Sequence, residues 1–168
     1  TIEQAREAGA EVIVVDPVRT ATAERADRFL QLRPGTDVAL VAGLIHVMDR
    51  NGLLDPTWLA EHTTDAADLL VSVADATPLT TEARTGIAAD EVVAVAHRFA
   101  TVRPAAVRSL VGPEHRGNGR EIMRAIAMLP TVTGAWRDAG GGLARSTQVW
   151  WEEAFGLETE EARLAPPT

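Results

Sequence analysis

The sequence predicts a helix-rich α/β fold built on a parallel sheet, and three observations carry that prediction. Val12-Ile13-Val14-Val15 is a run of four β-branched residues bounded by Gly9 and Asp16-Pro17, the pattern of a strand covered on both faces. Helical patterns lie on either side of it, and parallel strands need such crossovers. Further along, Ala105 to Val111 suits a second buried strand between two more helical stretches.

The elements follow in order. Ile2, Ala5 and Ala8 among polar residues make a short helix ending at Gly9, an ordinary C-cap. After Asp16-Pro17, a polar stretch runs from Arg19 to Arg28, with one helical turn over residues 23–26. Phe29-Leu30-Gln31-Leu32 reads as an edge strand. Arg33-Pro34-Gly35-Thr36-Asp37 is a turn that places Thr36 as N-cap and Asp37 in the first helical turn. Val38 to Met48 is apolar nearly all round, a buried helix stopped by Asn51-Gly52. Asp55-Pro56 supplies an N-cap and an N1 proline for a helix to His62. Residues 63–77 give no clear pattern. Pro78 to Thr85 is a helix capped by Gly86, and Asp90 to Ala100 is another, with Val92, Val93, Val95, Ala96 and Phe99 on its apolar side. Glu121 to Leu129 is the last clear helix, followed by Thr133-Gly134 and a Gly140-Gly141-Gly142 loop. Together these make a three-layer, Rossmann-like unit over residues 1–145, with 146–168 a charged, then Pro-rich tail or linker. A helix–Gly–strand unit opening on Thr1, with no strand before it, is expected of a fragment of a larger multi-domain subunit.

Composition removes many functions. Of 168 residues, 46% are hydrophobic and 24% charged, enough for a folded core. Net charge is -8, and all 16 basic residues are arginine, which argues against general nucleic-acid or membrane-surface binding. No apolar run approaches the roughly 18 residues that cross a bilayer, so no membrane insertion is expected. Cysteine, tyrosine and lysine are absent. Disulfides, thiolate metal sites, iron–sulfur ligation, a Cys nucleophile, a Tyr acid and a Schiff-base lysine are therefore all excluded within these residues.

Two places are candidates for binding. Asp16-Pro17 ends a strand, and doubly wound folds bind ligands beyond the carboxyl ends of their strands. A carboxylate accepts only, so Asp16 suits ribose hydroxyls or a guanine edge, and Arg19 and Thr20 add a cation and a hydroxyl. The plainer alternative is a strand-ending turn. At Gly35-Thr36-Asp37 a glycine and a helix N-terminus offer close backbone approach. Asp37 would repel phosphate and suits the N–H donors of a guanine better; a plain helix cap is the alternative. Among the histidines at 46, 62, 97 and 115 there is no paired spacing; His46 reads as a satisfied core histidine. His115 stands in the loop Gly112 to Gly119 after the second strand, at the ligand-side edge or in a polar connector. Trp150-Trp151 reads as a packing patch or a core pair. No metal-ligand constellation stands out, and Ser72, Ser109 and Ser146 lack a nucleophile context.

Taken together, the motifs resemble a known family. The run from Gly9 through Asp16-Pro17-Val18-Arg19-Thr20-Ala21-Thr22-Ala23 is followed by Ala26-Asp27 and Leu32-Arg33-Pro34-Gly35-Thr36-Asp37. Asn51-Gly52-Leu53-Leu54-Asp55, Thr85-Gly86-Ile87, Arg124-Ala125-Ile126, Thr133-Gly134 and Gly140-Gly141-Gly142-Leu143 extend the match. This pattern, over about residues 1–145, closely resembles the molybdopterin oxidoreductases, the bis-molybdopterin guanine dinucleotide enzymes that include formate dehydrogenases, nitrate reductases and dimethyl sulfoxide reductase. The resemblance implies a molybdenum or tungsten ion between two pterin dithiolenes, each extended to a guanine dinucleotide. It also implies that Asp16, Pro17, Arg19, Thr20, Gly35, Thr36 and Asp37 contribute to one dinucleotide site. The loop Glu114 to Asn118 matches a pterin-side family loop more loosely.

There are departures. Val18 stands where the family usually has arginine after Asp-Pro, and Glu114-His115-Arg116 replaces a Gln-Arg-His-like order. The family's N-terminal iron–sulfur cysteine motif, its metal-ligating residue and its C-terminal cofactor-clasping domain do not occur here. The expectation is a non-catalytic segment whose parent carries the cofactor, with an iron–sulfur cluster upstream. Its partners are then the remaining domains of that parent and its electron-transfer subunits. A cytoplasmic setting is the default, with a periplasmic one open through a twin-Arg leader on the parent. Two other classes compete. One is a metal-free electron-transfer scaffold like the large iron–sulfur subunit of respiratory complex I. The other is an NAD- or nucleotide-binding Rossmann domain, which requires a GxGxxG about 20 residues before Asp16.

Overall fold

The computed structural model describes residues 2–110, 112–115 and 117–145. The chain opens with α1 (Ile2–Glu7), β1 (Ile13–Val15), α2 (Ala21–Glu24) and β2 (Arg28–Leu30). Five helices follow: α3 (Asp37–Arg50), α4 (Pro56–His62), α5 (Ala66–Ser72), α6 (Pro78–Thr85) and α7 (Ala89–Thr101). After them come β3 (Ala106–Ser109), a 3-10 turn at Gly112–His115, α8 (Gly119–Val132), a second 3-10 turn at Ala135–Arg137, and β4 (Gly142–Arg145). The helix-rich α/β class is thus the observed one. All strand pairing is parallel, divided between two short sheets: β1 with β2, Val15 opposite Leu30, and β3 with β4, Ser109 opposite Arg145. No helix among the described residues is long and apolar enough to cross a membrane.

The core is built around α3. Leu40, Val41, Leu44, Ile45, Val47 and Met48 are all buried, Met48 to 0% exposure, because the helix is apolar on nearly every side and packs against α6, α7 and α8. From α7, Val92, Val95 and Ala96 meet it; from α8, Leu129 and Val132. His46, buried within α3, is satisfied by a 3.1 Å contact from Nδ1 to the Val73 carbonyl, as expected of a core histidine. Buried hydroxyls find partners too: Thr85 Oγ1 donates to the Thr81 carbonyl at 2.8 Å and accepts from the Ile87 amide at 3.1 Å. The helix ends are chemically marked. Asp55 caps α4 by accepting from the Trp58 amide at 3.0 Å, Pro56 and Pro78 sit in first turns, and Gly86 closes α6 at φ +80°.

Several expectations need correction. β1 is not buried on both faces: Ile13 and Val14 are half-buried and Val15 is 43% exposed. It pairs with β2 alone, and α1 buries none of its residues against the described chain. The strand over 105–111 is also half-open, since Ala106 and Arg108 point outward while Ser109 is buried; alternation of this kind marks one covered face. Thr36 occupies the N-cap position of α3 but its side chain does not cap the helix; it donates to the Arg33 carbonyl at 2.6 Å. With ψ near 14°, its backbone lacks the extended conformation that aims a hydroxyl at the first turn. The last helix runs past Leu129 to Val132, with Pro130 inside its last turn, where it leaves the chain one backbone donor short. Trp150, Trp151 and Ser146, with the whole expected tail of 146–168, lie outside the described residues.

Candidate functional site

Because β1 and β2 are adjacent and parallel, their carboxyl ends release two loops at one edge. The first is Asp16 to Thr20; the second runs from Gln31 to Asp37. Both sequence-predicted groups are therefore brought to the same side of one sheet, the side where α/β folds hold ligands.

The first loop is a tight, internally bonded turn. The Asp16 amide donates to the Leu30 carbonyl at 3.2 Å, extending the ladder by one residue. Oδ1 of Asp16 then accepts from the Val18 amide at 2.8 Å, the turn that aspartate forms with the backbone two residues on. Oδ2 has no hydrogen-bond partner among the described residues, so half of the carboxylate's accepting capacity is unused there. Thr20 has extended backbone, φ −81° and ψ 168°, and its Oγ1 accepts from the Ala23 amide at 3.3 Å to cap α2; its own hydroxyl proton remains to donate. The guanidinium of Arg19 lies over the Phe29 ring, 4.4 Å from its centroid, and forms no ion pair among the described residues. Val18 is exposed where it follows Pro17.

Arginine fixes the second loop. Arg33 donates three times toward α6: its amide to the Thr85 carbonyl at 2.8 Å, and its guanidinium to the carbonyls of Ala83 at 2.6 Å and Arg84 at 3.3 Å. It thus satisfies the carbonyl end of α6. From this anchor the chain turns at Gly35, φ +83°, a left-handed conformation that favours glycine. Thr36 closes the turn on the Arg33 carbonyl, and Asp37 follows half-buried at the start of α3 with no hydrogen-bond partner for its carboxylate among the described residues.

Two residues that organise this edge went unassigned in the sequence. Gln31 sits just past β2, and its Nε2 donates to the Pro17 carbonyl at 2.9 Å, tying one loop to the other. Its signal was a single polar residue inside Phe29-Leu30-Gln31-Leu32, with both leucine neighbours buried to 3% exposure. Arg33 carries only a turn signal in the sequence, because its partners lie some 50 residues away.

The Glu114–His115 loop stands apart from this edge, beyond the carboxyl end of β3 in the other sheet. Glu114 pairs with Arg145 on β4, and His115 is exposed. Before β3, Arg103 donates to the carbonyls of Thr133 at 2.9 Å and Gly134 at 3.0 Å. Its Nε lies 2.6 Å from the buried Oδ2 of Asp138, close enough for charge but off-axis for a hydrogen bond. These contacts hold the glycine-rich turn before β4. No cluster of three or more metal-ligating side chains occurs among the described residues.

The fold and its motifs agree with the comparisons. The chain belongs to the molybdopterin oxidoreductase family, whose model matches residues 1–156. It is 34% identical over 140 residues to the probable oxidoreductase YoaE of Bacillus subtilis, covering 83% of this chain and 21% of that protein. It is 37% identical over 154 residues to the dimethyl sulfoxide reductase DmsA of Haemophilus influenzae, covering 79% and 19% respectively. The solved structure of acetylene hydratase from Pelobacter acetylenicus matches with a TM-score of 0.78 at 31% identity, over 82% of this chain and 19% of that one. The chain spans about a fifth of the length of these relatives. Membership of the family implies a molybdenum or tungsten pterin cofactor.

Proposed function

We propose that this chain is the part of a molybdenum or tungsten oxidoreductase that holds one guanine dinucleotide arm of the pterin cofactor, at the shared carboxyl edge of β1 and β2. The observation that carries the reading is a pair of acceptors with no partner among the described residues, Oδ2 of Asp16 and the carboxylate of Asp37, on two loops that leave the same sheet edge. Their chemistry fits the group. Guanine presents adjacent N–H donors, a carboxylate accepts in pairs, and hydrogen bonds to a charged acceptor are among the stronger ones. The backbone around Gly35 allows close approach of a flat base, and the free hydroxyl proton of Thr20 and the guanidinium of Arg19 suit ribose and phosphate oxygens. Pro17 holds the turn that aims Asp16, and Thr36 holds the one that aims Asp37.

When bound, the cofactor supplies the metal centre for two-electron chemistry in the parent. The residues described here bind and orient; none acts as acid, base or nucleophile. Relatives of this segment include proteins named as dimethyl sulfoxide reductase, formate dehydrogenase and acetylene hydratase, reactions with different substrates. That breadth favours a task common to all of them, and holding the cofactor is such a task. An upstream iron–sulfur cluster, electron-transfer subunits and the other domains of the parent complete the reading.

Asp16→Asn and Asp37→Asn in the full-length parent test it. Asn at 16 keeps an oxygen for the Val18 amide, so the turn survives while the charge is lost. Each variant is expected to weaken guanine-nucleotide retention roughly ten- to a hundredfold, the worth of one charge-assisted hydrogen bond. GMP released by acid from each purified variant reads this out. Wild-type GMP content in both variants would contradict the site.

A further inference from the structure

We propose that Gln31 is a positioning residue for the nucleotide edge, setting the orientation of the Asp16–Thr20 turn against the loop that carries Gly35 and Asp37; this rests on the reading given under Proposed function. The Asp16 turn is bonded within itself, Asp16 to Val18 and Thr20 to Ala23, and those bonds fix its shape without fixing its direction. Its direction depends on ties to β2. The backbone provides one, from the Asp16 amide to the Leu30 carbonyl at 3.2 Å. The ladder ends there, because the Val18 amide, next in the alternating set that faces β2, is taken by Oδ1 of Asp16. The Pro17 carbonyl is still available, and the Gln31 side-chain amide takes it at 2.9 Å.

Gln31 has a firm base for that task. Its neighbours Leu30 and Leu32 are both 3% exposed, so the strand's alternation turns Gln31 outward from a backbone locked in the core. One residue further, Arg33 is held at three points by α6 and leads into the Gly35 turn. The segment from Leu30 to Asp37 is thus the fixed member, and through Gln31 it dictates where the Asp16 carboxylate faces. The hydrogen bond is solvent-exposed, so its loss leaves the Pro17 carbonyl to water and the core intact.

The test uses the full-length parent from a host that makes the cofactor, with Gln31→Leu, Gln31→Glu and Gln31→Lys. Leucine cannot donate, and an ionised glutamate only accepts; lysine keeps a donor on a long stem. Hydrogen exchange at the amides of residues 18–20 is expected to quicken about three- to tenfold in the first two, as losing one exposed neutral hydrogen bond implies. Exchange in α3 stays unchanged, GMP per chain falls, and the lysine variant restores both values. Wild-type exchange in Gln31→Leu would overturn the proposal, as would faster exchange with undiminished GMP. A wild-type parent that releases no GMP would instead overturn the nucleotide reading on which the proposal stands, and the proposal with it.

Discussion

A Cβ on Gly43 would stand 2.2 Å from Oγ1 of Thr81 and 2.8 Å from its Cγ2. The approach of α3 to α6 is therefore set by a single missing methyl group, at a point where Thr81 is buried. Neither partner can swing away, since both belong to packed helices. Gly43→Ala is expected to destabilise the fold by about 1–3 kcal/mol, the usual cost of overpacking a core, read as a lower urea midpoint with an unchanged slope. Gly142→Ala meets two obstacles: a φ of +103° and a Trp136 ring 2.6 Å from the new carbon. The two threonines of the candidate site show how far one residue type depends on its backbone. Thr20, with ψ at 168°, caps its helix; Thr36, with ψ at 14°, turns back to Arg33 instead.

Elements are joined at their ends by carboxylates that hold a backbone amide and an arginine together. Asp27 accepts from the Val12 amide and from Arg6, fastening the approach to β1 onto α1. Asp55 accepts from the Trp58 amide and from Arg137, fastening α4 to the turn after α8. In each case the backbone hydrogen bond first, and then the arginine, lowers the carboxyl pKa below its ordinary value of 3.8. A depressed pKa means that the unfolded chain binds protons more readily. The stability these groups contribute is present above about pH 4 and is lost as pH falls through the lowered values. Thermal unfolding between about pH 5 and pH 2 should accordingly show a shallower loss in Asp27→Asn and Asp55→Asn than in the wild type. At 55, asparagine still caps the helix. What was legible in the sequence follows the same division between local and distant causes. Asp55-Pro56, Gly86 and the apolar run of α3 announce themselves because caps, turns and helical faces are local chemistry. β4 was hidden in a glycine loop, since its strand character comes from pairing with β3, more than 30 residues away. α5 lies in a polar stretch behind a left-handed Asp65 that does not cap it. How deeply β1 and β3 are buried depends on which layers cover them, and no window of sequence reports that. At the site, Asp16 and Gly35 were legible as turn formers, whereas Gln31 and Arg33 act through partners far along the chain.

At the scale of the whole molecule, ion pairs secure the small β1–β2 sheet to the helical core: Arg28 to Glu91 at 2.8 Å, and Glu11 to Arg98. Nη1 of Arg28 donates to both oxygens of Glu91, and that carboxylate raises the pKa of Arg28 above its ordinary value. The sheet whose edge bears Asp16 is therefore tied to α7 at two points, Glu91 and Arg98. The most direct measurement is made on the full-length parent from a cofactor-competent host: molybdenum, tungsten and iron by elemental analysis, together with GMP released by mild acid. One molybdenum or tungsten ion and two GMP per chain are expected, the stoichiometry of a metal held between two guanine dinucleotides. Iron without either metal and without GMP, or none of these, would contradict the proposed function.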